Sequence, residues 1–141
     1  MAGRIGGPKT RNGKTWTEAR FRSFIKSNLR RTTMRWGPIA DCLKNARVNR
    51  GTYLCSGCSQ EVPASIKLDG KRIKNVHVDH IIPIVDPEVG FQGWDVMIDR
   101  MFCEAENLQC LCDECHTIKT NQEKAIAKER RDRLKVIDID E

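Results

Sequence analysis

The sequence predicts an α+β protein whose small core is stapled by four cysteines and flanked by helices. Two Cys-x-x-Cys pairs, Cys55–Cys58 and Cys112–Cys115, are separated by 53 residues. Short segments suited to strands lie between the pairs, and apolar residues recur at helical spacing before and after them. With 141 residues, the chain has the length of one domain with tails.

Positive charge is concentrated in the first 50 residues. They hold 13 Lys and Arg against two carboxylates, a net charge of +11, whereas residues 51–141 carry −5. Clustered cations bind polyanions because they release counterions from phosphates. We therefore interpret residues 1–50 as a basic helical extension that contacts nucleic acid, in preference to a solvated tail without a partner.

Two helices are predicted in this extension, after a Gly-, Lys- and Arg-rich segment, residues 1–14, that we expect to be disordered. Thr17 can cap the first helix. Apolar residues then recur at helical spacing, namely Phe21, Phe24, Ile25 and Leu29. Gly37-Pro38 ends this helix, and Pro38 can begin a second one that continues to about Arg47.

Residues 51–123 are predicted to form the core. Gly57 relaxes the backbone of the first Cys-x-x-Cys turn, and Asp69-Gly70 is the turn of a hairpin within residues 59–75. Strands are expected at 75–80 and 108–111.

Three helical segments are expected in the second half of the chain. They cover Trp94 to Phe102, Cys112 to about Thr120, and a final helix to about Leu134. Thr120 to Glu123 fits a capping box, which would begin the final helix. Residues 124–141 are thus a C-terminal helix with an acidic tail.

The four paired cysteines predict a structural zinc site. A Cys-x-x-Cys turn lets two sulfurs reach one metal, and two such turns complete a tetrahedron with Zn–S distances of about 2.3 Å. A redox pair is a weaker interpretation, since it would need no second pair. Cys110 is a possible substitute ligand, and Cys42 and Cys103 are expected to be buried small hydrophobic residues.

The N-terminus, MAGRIGGPKTRNGKTW, has no apolar run typical of a signal peptide, and no segment approaches the length of a membrane helix. We therefore expect a cytoplasmic protein without a membrane partner. In that compartment paired thiols bind metal more often than they form disulfides.

Further motifs are interleaved with the cysteine pairs. His77-Val-Asp79-His80-Ile-Ile-Pro83 lies between them, followed by Asn107-Leu-Gln-Cys-Leu-Cys112 and Cys115-His116-x-x-Lys119-Thr120. From roughly Tyr53 to Glu123 this pattern resembles the HNH endonuclease family, in particular its small phage-type members with a four-cysteine zinc site. The resemblance implies a ββα-metal (His-Me finger) core.

The same resemblance implies the roles of four residues. Asp79 and His116 would bind a catalytic divalent ion, and their mixed oxygen and nitrogen donors suit Mg²⁺, Mn²⁺ or Ni²⁺. His80 would be the general base, since a neutral imidazole accepts a proton near pH 7. Asn107 would hold the loop and the histidine in place. Expected products are a 5′-phosphate and a 3′-hydroxyl.

Two points stay open at this stage. Asp79 and His80 point to opposite faces of an ideal strand, so both serve one site only if the strand ends or twists there. His77 shares the alternation of Asp79 and could contact DNA or metal, although a structural role is preferred. Phosphate contacts are predicted for six cations: Arg20, Lys26, Arg30, Arg31, Arg35 and Lys119. For Lys119 a solvated side chain is an equally good interpretation.

The sequence therefore predicts a divalent-metal-dependent HNH endonuclease that nicks DNA or cuts both strands. The phage-type appearance implies a bacterial host cell and a link to DNA-packaging (terminase) proteins. A zinc-ribbon module that binds nucleic acid or protein without catalysis is the alternative, since the cysteine pairs and the basic extension would suffice for it.

Overall fold

The computed structural model describes residues 6–139, with side chains as far as residue 137. The chain divides into two units, Met1–Arg35 and Trp36–Glu141. The basic extension predicted from the sequence ends at residue 50 instead. The observed division is earlier because the second predicted helix packs on strands of the second unit. The predicted acidic tail lies outside the residues whose side chains are described.

The first unit is a short strand pair followed by a helix. Strands β1 (Lys9–Arg11) and β2 (Trp16–Thr17) are antiparallel, and α1 (Glu18–Thr32) continues into a 3-10 turn at Thr33–Arg35. Thr17 caps α1 as predicted, because its side chain accepts a hydrogen bond from the backbone N–H of Arg20 at 3.2 Å. The expectation of disorder over residues 1–14 is wrong for β1; residues 1–5 lie outside the described chain.

The second unit begins with a helix and two small sheets. Their bounds are α2 (Gly37–Ala46), β3 (Arg47–Asn49), β4 (Thr52–Leu54), β5 (Glu61–Pro63), β6 (Ser65–Leu68) and β7 (Lys71–Lys74). Strands β3, β4 and β5 form one antiparallel sheet, and β6 and β7 form a hairpin. The predicted hairpin turn is confirmed, since Asp69 and Gly70 both have positive φ, as a type I′ turn requires.

The remaining elements position the candidate site. They are β8 (Val76–His80), α3 (Trp94–Met101), a 3-10 turn (Ala105–Asn107), β9 (Leu108–Cys112) and α4 (Asp113–Ile139). Strands β8 and β9 are antiparallel, and Asp79 is paired with Gln109. The buried side chains come mainly from these elements: Val76, Met97, Met101, Leu108, Cys110 and Leu111. Helix α4 follows β9 directly, so two strands and a helix form one continuous unit.

The prediction of two C-terminal helices is wrong. Helix α4 runs without interruption from Asp113 to Ile139. Its sequence contains neither Gly nor Pro, so nothing breaks the helix at Thr120. Thr120 and Glu123 therefore belong to the middle of a helix and do not form a capping box.

In the described part of the chain, no helix combines the length and the apolar character that crossing a membrane requires.

Candidate metal centre and active site

The four paired cysteines form one cluster. The Sγ atoms of Cys55, Cys58, Cys112 and Cys115 all lie within 4.8 Å of one another. Sulfurs around a tetrahedral zinc are separated by about 3.8 Å, so small shifts would close the cluster on one ion. The cluster could therefore hold a structural metal such as zinc, as predicted from the sequence.

Backbone N–H groups favour a thiolate within this cluster. Burial raises the pKa of the Cys55 thiol, but N–H donors of Cys112, Cys58 and Gly57 outweigh burial and lower that pKa to about 6. The N–H of Cys112 lies 3.2 Å from the Cys55 sulfur. The pKa of Cys115 is raised, first by its hydrogen bond to Cys112. Burial also raises the pKa of Cys112, so the thiolate, which is the form that binds metal, is favoured at Cys55 over Cys112 and Cys115.

Gly57 has a different role from the one predicted. The φ angle of Gly57 is not positive, so this turn does not depend on the conformational freedom of glycine. A Cβ at this position would lie 3.0 Å from the sulfur of Cys115 and 3.2 Å from Leu111. Glycine is needed here because the first Cys-x-x-Cys turn passes directly over the second.

The three other cysteines lie outside the cluster. Cys110 is buried on β9, and burial is the main cause that raises the pKa of its thiol to about 11. Burial likewise raises the pKa of Cys42 and of Cys103. The raised pKa values keep these thiols protonated, but Cys42 and Cys103 are only half-buried, whereas the sequence predicts them to be buried small hydrophobic residues. Cys110 is not one of the clustered sulfurs.

Asp79 and His116 come together where α4 crosses β8. Oδ1 of Asp79 lies 4.0 Å from Nε2 of His116, and their side chains are 15% and 34% exposed. Ligand atoms about 2.0–2.2 Å from one ion can be up to about 4 Å apart. The carboxylate oxygen and the imidazole nitrogen therefore fit a single divalent cation that is reached from solvent.

The second oxygen of Asp79 is already occupied by donors. Gln109 donates from Nε2 to Oδ2 at 3.0 Å, and Nζ of Lys119 lies 3.0 Å from the same atom. Lys119 also donates to the backbone carbonyl of His80 at 2.9 Å and to Glu123 at 2.6 Å. Partial burial lowers the pKa of Lys119, but the hydrogen bonds to Glu123 and Asp79 raise it above its usual value. Oδ1 is thus the oxygen left to face His116.

His80 faces a different element from Asp79. Its Nε2–H donates to the backbone carbonyl of Met101, at the end of α3, at 2.9 Å. A carbonyl only accepts, so Nε2 carries the proton and Nδ1 of the neutral ring holds the lone pair. The opposite orientation of Asp79 and His80 expected from strand alternation is thus observed, and β8 ends at His80.

Asn107 clamps the chain that follows His80. Its Oδ1 accepts a hydrogen bond from the N–H of Ile82 at 2.8 Å, and its Nδ2 donates to the carbonyl of Ile82 at 3.3 Å. The N–H of Ile81 donates to the Asn107 carbonyl at 2.9 Å. These three bonds fix the backbone immediately after His80.

His77 lies beside His116. The two rings are stacked with centroids 4.6 Å apart and an interplanar angle of 23°. Nε2–H of His77 donates to Oδ1 of Asp113 at 2.9 Å. The direct contacts of His77 are therefore a carboxylate and the neighbouring imidazole.

The predicted phosphate contacts fall into two groups. Arg20, Arg30, Arg31 and Arg35 are exposed in the first unit, and Lys26 is half-buried there. Partial burial and the charges of Arg30 and Arg22 lower the pKa of Lys26, which indicates a dense cationic surface. Lys119 differs, because it is engaged by Asp79 and Glu123 in the second unit.

Sequence reasoning missed three side chains of this site: Gln109, Asp113 and Glu123. Gln109 could have been identified from the register of β8 and β9, in which it is paired with Asp79. Asp113 precedes His116 by three residues and Glu123 follows Lys119 by four, spacings that share a helix face. Predicting one continuous helix from residue 113 would have placed both residues beside the site. The predicted break at Thr120 removed the helical relation between Lys119 and Glu123.

Comparisons of the chain with protein-family models, with curated proteins and with solved structures found no match. The arrangement of the side chains themselves therefore carries the functional interpretation.

Proposed function

We propose that this protein is an HNH-type endonuclease that hydrolyses DNA phosphodiester bonds with a divalent cation. The observation that carries the proposal is the 4.0 Å approach of Asp79 Oδ1 to His116 Nε2 across β8 and α4. In this interpretation β8, β9 and α4 are the two strands and the helix of a ββα-metal core, and the four cysteines hold zinc beside it.

Asp79 and His116 are the proposed ligands of the catalytic cation. A carboxylate oxygen with an imidazole nitrogen suits Mg²⁺, Mn²⁺ or Ni²⁺. When bound there, such a cation would stabilise the negative charge that develops on the phosphate. Gln109 and Lys119 keep Oδ2 of Asp79 engaged, so the carboxylate presents one defined oxygen.

His80 is the proposed general base. The Met101 carbonyl holds the proton on Nε2, which leaves Nδ1 to accept a proton from the attacking water. The water oxygen then bonds to phosphorus, and the bond from phosphorus to the 3′-oxygen breaks. Solvent protonates the leaving oxygen, which gives a 3′-hydroxyl and a 5′-phosphate. Asn107 keeps the backbone next to His80 in place throughout.

The first unit is the proposed DNA contact. Residues 1–35 carry ten Lys and Arg against one carboxylate, Glu18, a net charge of +9. Such a surface binds phosphates without reading sequence. DNA is preferred over RNA on the resemblance to HNH nucleases, which also suggests a phage-encoded protein that works beside DNA-packaging (terminase) proteins in the bacterial cytoplasm.

A non-catalytic zinc module that binds nucleic acid is the second candidate. The ion pair between Asp79 and Lys119 favours it, because this carboxylate already has a cationic partner within the chain. The four-cysteine cluster and the basic unit would be sufficient for binding.

One experiment separates the two candidates. Zinc-loaded protein is incubated with supercoiled plasmid and Mg²⁺, Mn²⁺ or Ni²⁺, alongside a His80→Ala variant with the same zinc content. The nuclease proposal expects cutting by the wild type, little or none by the variant, and 5′-phosphate ends. DNA binding without cutting under all three metals, unaffected by His80→Ala, would instead support the zinc module.

A further inference from the structure

The proposed reaction leaves one imidazole of the site without a role. His77 does not appear in it, although its ring stacks on that of His116 at 4.6 Å. Its side chain is 24% exposed, so solvent does not surround it. On the other side it is bound to Asp113 at 2.9 Å. A histidine that is hydrogen-bonded at one end and stacked flat on a proposed metal ligand can restrict the orientation of that ligand's ring.

The strand and the helix together create this arrangement. His77 and Asp79 alternate along β8, so they share one face. Asp113 and His116 are separated by one turn at the start of α4. The two pairs meet as two rows, with His77 bonded to Asp113 and Asp79 facing His116.

The start of the helix is itself anchored. The N–H of Asp113 donates to the carbonyl of Asn75, the buried residue before β8, at 2.9 Å. Cys112 and Cys115 of the metal cluster flank the same turn. The backbone of Asp113 is thus anchored, and its side chain, although 45% exposed, joins this anchor to the His77 ring through the hydrogen bond.

We propose that His77 is a positioning residue, which Asp113 holds and which fixes the ring plane of His116 so that Nε2 faces Asp79; this inference rests on the proposed nuclease function. A half-exposed histidine can otherwise rotate about its last side-chain bond. Restricting that rotation removes an ordering cost from cation binding. Partners behind a metal ligand commonly change metal affinity by about 10- to 100-fold.

The test compares His77→Ala with His77→Phe in full-length, zinc-loaded protein. Phenylalanine keeps a flat ring against His116 but can neither donate a hydrogen bond nor bind metal. Mn²⁺ affinity is measured by titration calorimetry without DNA, and plasmid cutting is measured separately. We expect His77→Ala to weaken Mn²⁺ binding by about tenfold and His77→Phe to recover most of it.

A further variant, Asp113→Ala, leaves His77 present but unanchored, and it should weaken Mn²⁺ binding less than His77→Ala does. It also serves if His77→Ala does not fold, as judged by zinc content and circular dichroism.

Unchanged Mn²⁺ affinity in His77→Ala would overturn the inference while leaving the nuclease proposal intact. His77→Phe as damaging as His77→Ala would also overturn it, since a flat ring stacked on His116 would then contribute nothing to cation binding. A wild type that binds no divalent cation outside the cysteine cluster and leaves DNA uncut would overturn the proposed function and this inference with it.

Discussion

Asp79 and Lys119 form an ion pair in which Nζ lies 3.0 Å from Oδ2, and this pair leaves the other carboxylate oxygen facing His116. Glu123 contacts the same ammonium at 2.6 Å, so Lys119 and Glu123 together carry no net charge. Lys119 can therefore orient Asp79 without strongly repelling a cation bound at Oδ1. The sequence predicts a phosphate contact for Lys119, and the observed ion pairs favour an orienting role instead.

Replacing both members of this pair tests that role. In the double variant Lys119→Met with Glu123→Gln the net charge of the site is unchanged, but Asp79 and the His80 carbonyl each lose a donor. We expect cutting to slow by roughly tenfold, equivalent to about 1.4 kcal/mol, with DNA affinity unchanged. The rate constant and the dissociation constant for DNA are measured separately.

The matched control is Lys128→Met with Asp132→Asn, which removes an exposed pair of the same spacing on the same helix. It should cut at the wild-type rate. If the Lys119 double variant loses DNA affinity and keeps its cutting rate at saturating DNA, Lys119 contacts the phosphate and does not orient Asp79.

The cysteine cluster should be essential for the fold. Cys112→Ser removes one sulfur from the site, and structural zinc sites contribute on the order of 10 kcal/mol to folding. We expect loss of bound zinc and a melting temperature lower by well over about 10 °C, measured by metal analysis and thermal denaturation. Cys110→Ser changes a buried thiol two residues away and should keep its zinc. If Cys112→Ser retained zinc and Cys110→Ser lost it, Cys110 would be the zinc ligand and Cys112 would not.

The loop before α3 depends on a glycine at residue 90. Gly90 has φ +89°, and a Cβ there would lie 2.8 Å from the guanidinium of Arg130. Gly93 also has positive φ, +108°, but a Cβ there meets nothing within 4 Å. Both Gly→Ala changes strain the backbone, and the one at residue 90 also displaces the end of the flexible Arg130 side chain, which loses its hydrogen bonds to Asp86 and Pro87 at a cost of about 1 kcal/mol. Gly90→Ala should therefore melt several degrees below Gly93→Ala; equal melting temperatures would mean that Arg130 moves away freely.

The basic surface of the first unit should control salt dependence. One variant replaces four cations of α1 by glutamine: Arg20, Lys26, Arg30 and Arg31. Removing a single cation that binds phosphate should reduce the slope of log K against log salt by about 0.9, so we expect a total change of about 3–4. The control replaces four exposed cations of α4: Lys124, Lys128, Arg131 and Arg133. DNA titrations at several salt concentrations measure both slopes, and a larger change in the control would locate the DNA-binding surface on α4.

Local sequence signals predicted the elements that depend on neighbouring residues. The cap at Thr17 and the turn at Asp69-Gly70 were found because each is defined within four residues. The cysteine cluster was found because its two turns have a fixed internal spacing. The length of α4 was missed, since a capping box that is compatible with a helix start is equally compatible with a helix interior.

Side-chain partners across the fold were harder to predict. Gln109 donates to Asp79 from 30 positions away, and Asp113 bonds to His77 from 36 away. Periodicity shows which residues share a face, but it does not show which faces meet. The crossing of α4 over β8 decides this, and it depends on the packing of the whole second unit.

Helix α4 also reaches the loop that follows His80. Nη1 of Arg130 donates to the backbone carbonyls of Pro87 and Asp86, at 3.1 and 3.4 Å. Arg130 lies about 21 Å along the helix axis from His116, so a single helix contacts the loop at Arg130 and also carries His116. The loop can then move away from α4 only if the helix bends or the hydrogen bonds of Arg130 to Asp86 and Pro87 break. We expect amides of residues 86–90 to exchange with deuterium in step with those of α4, as one cooperative opening event.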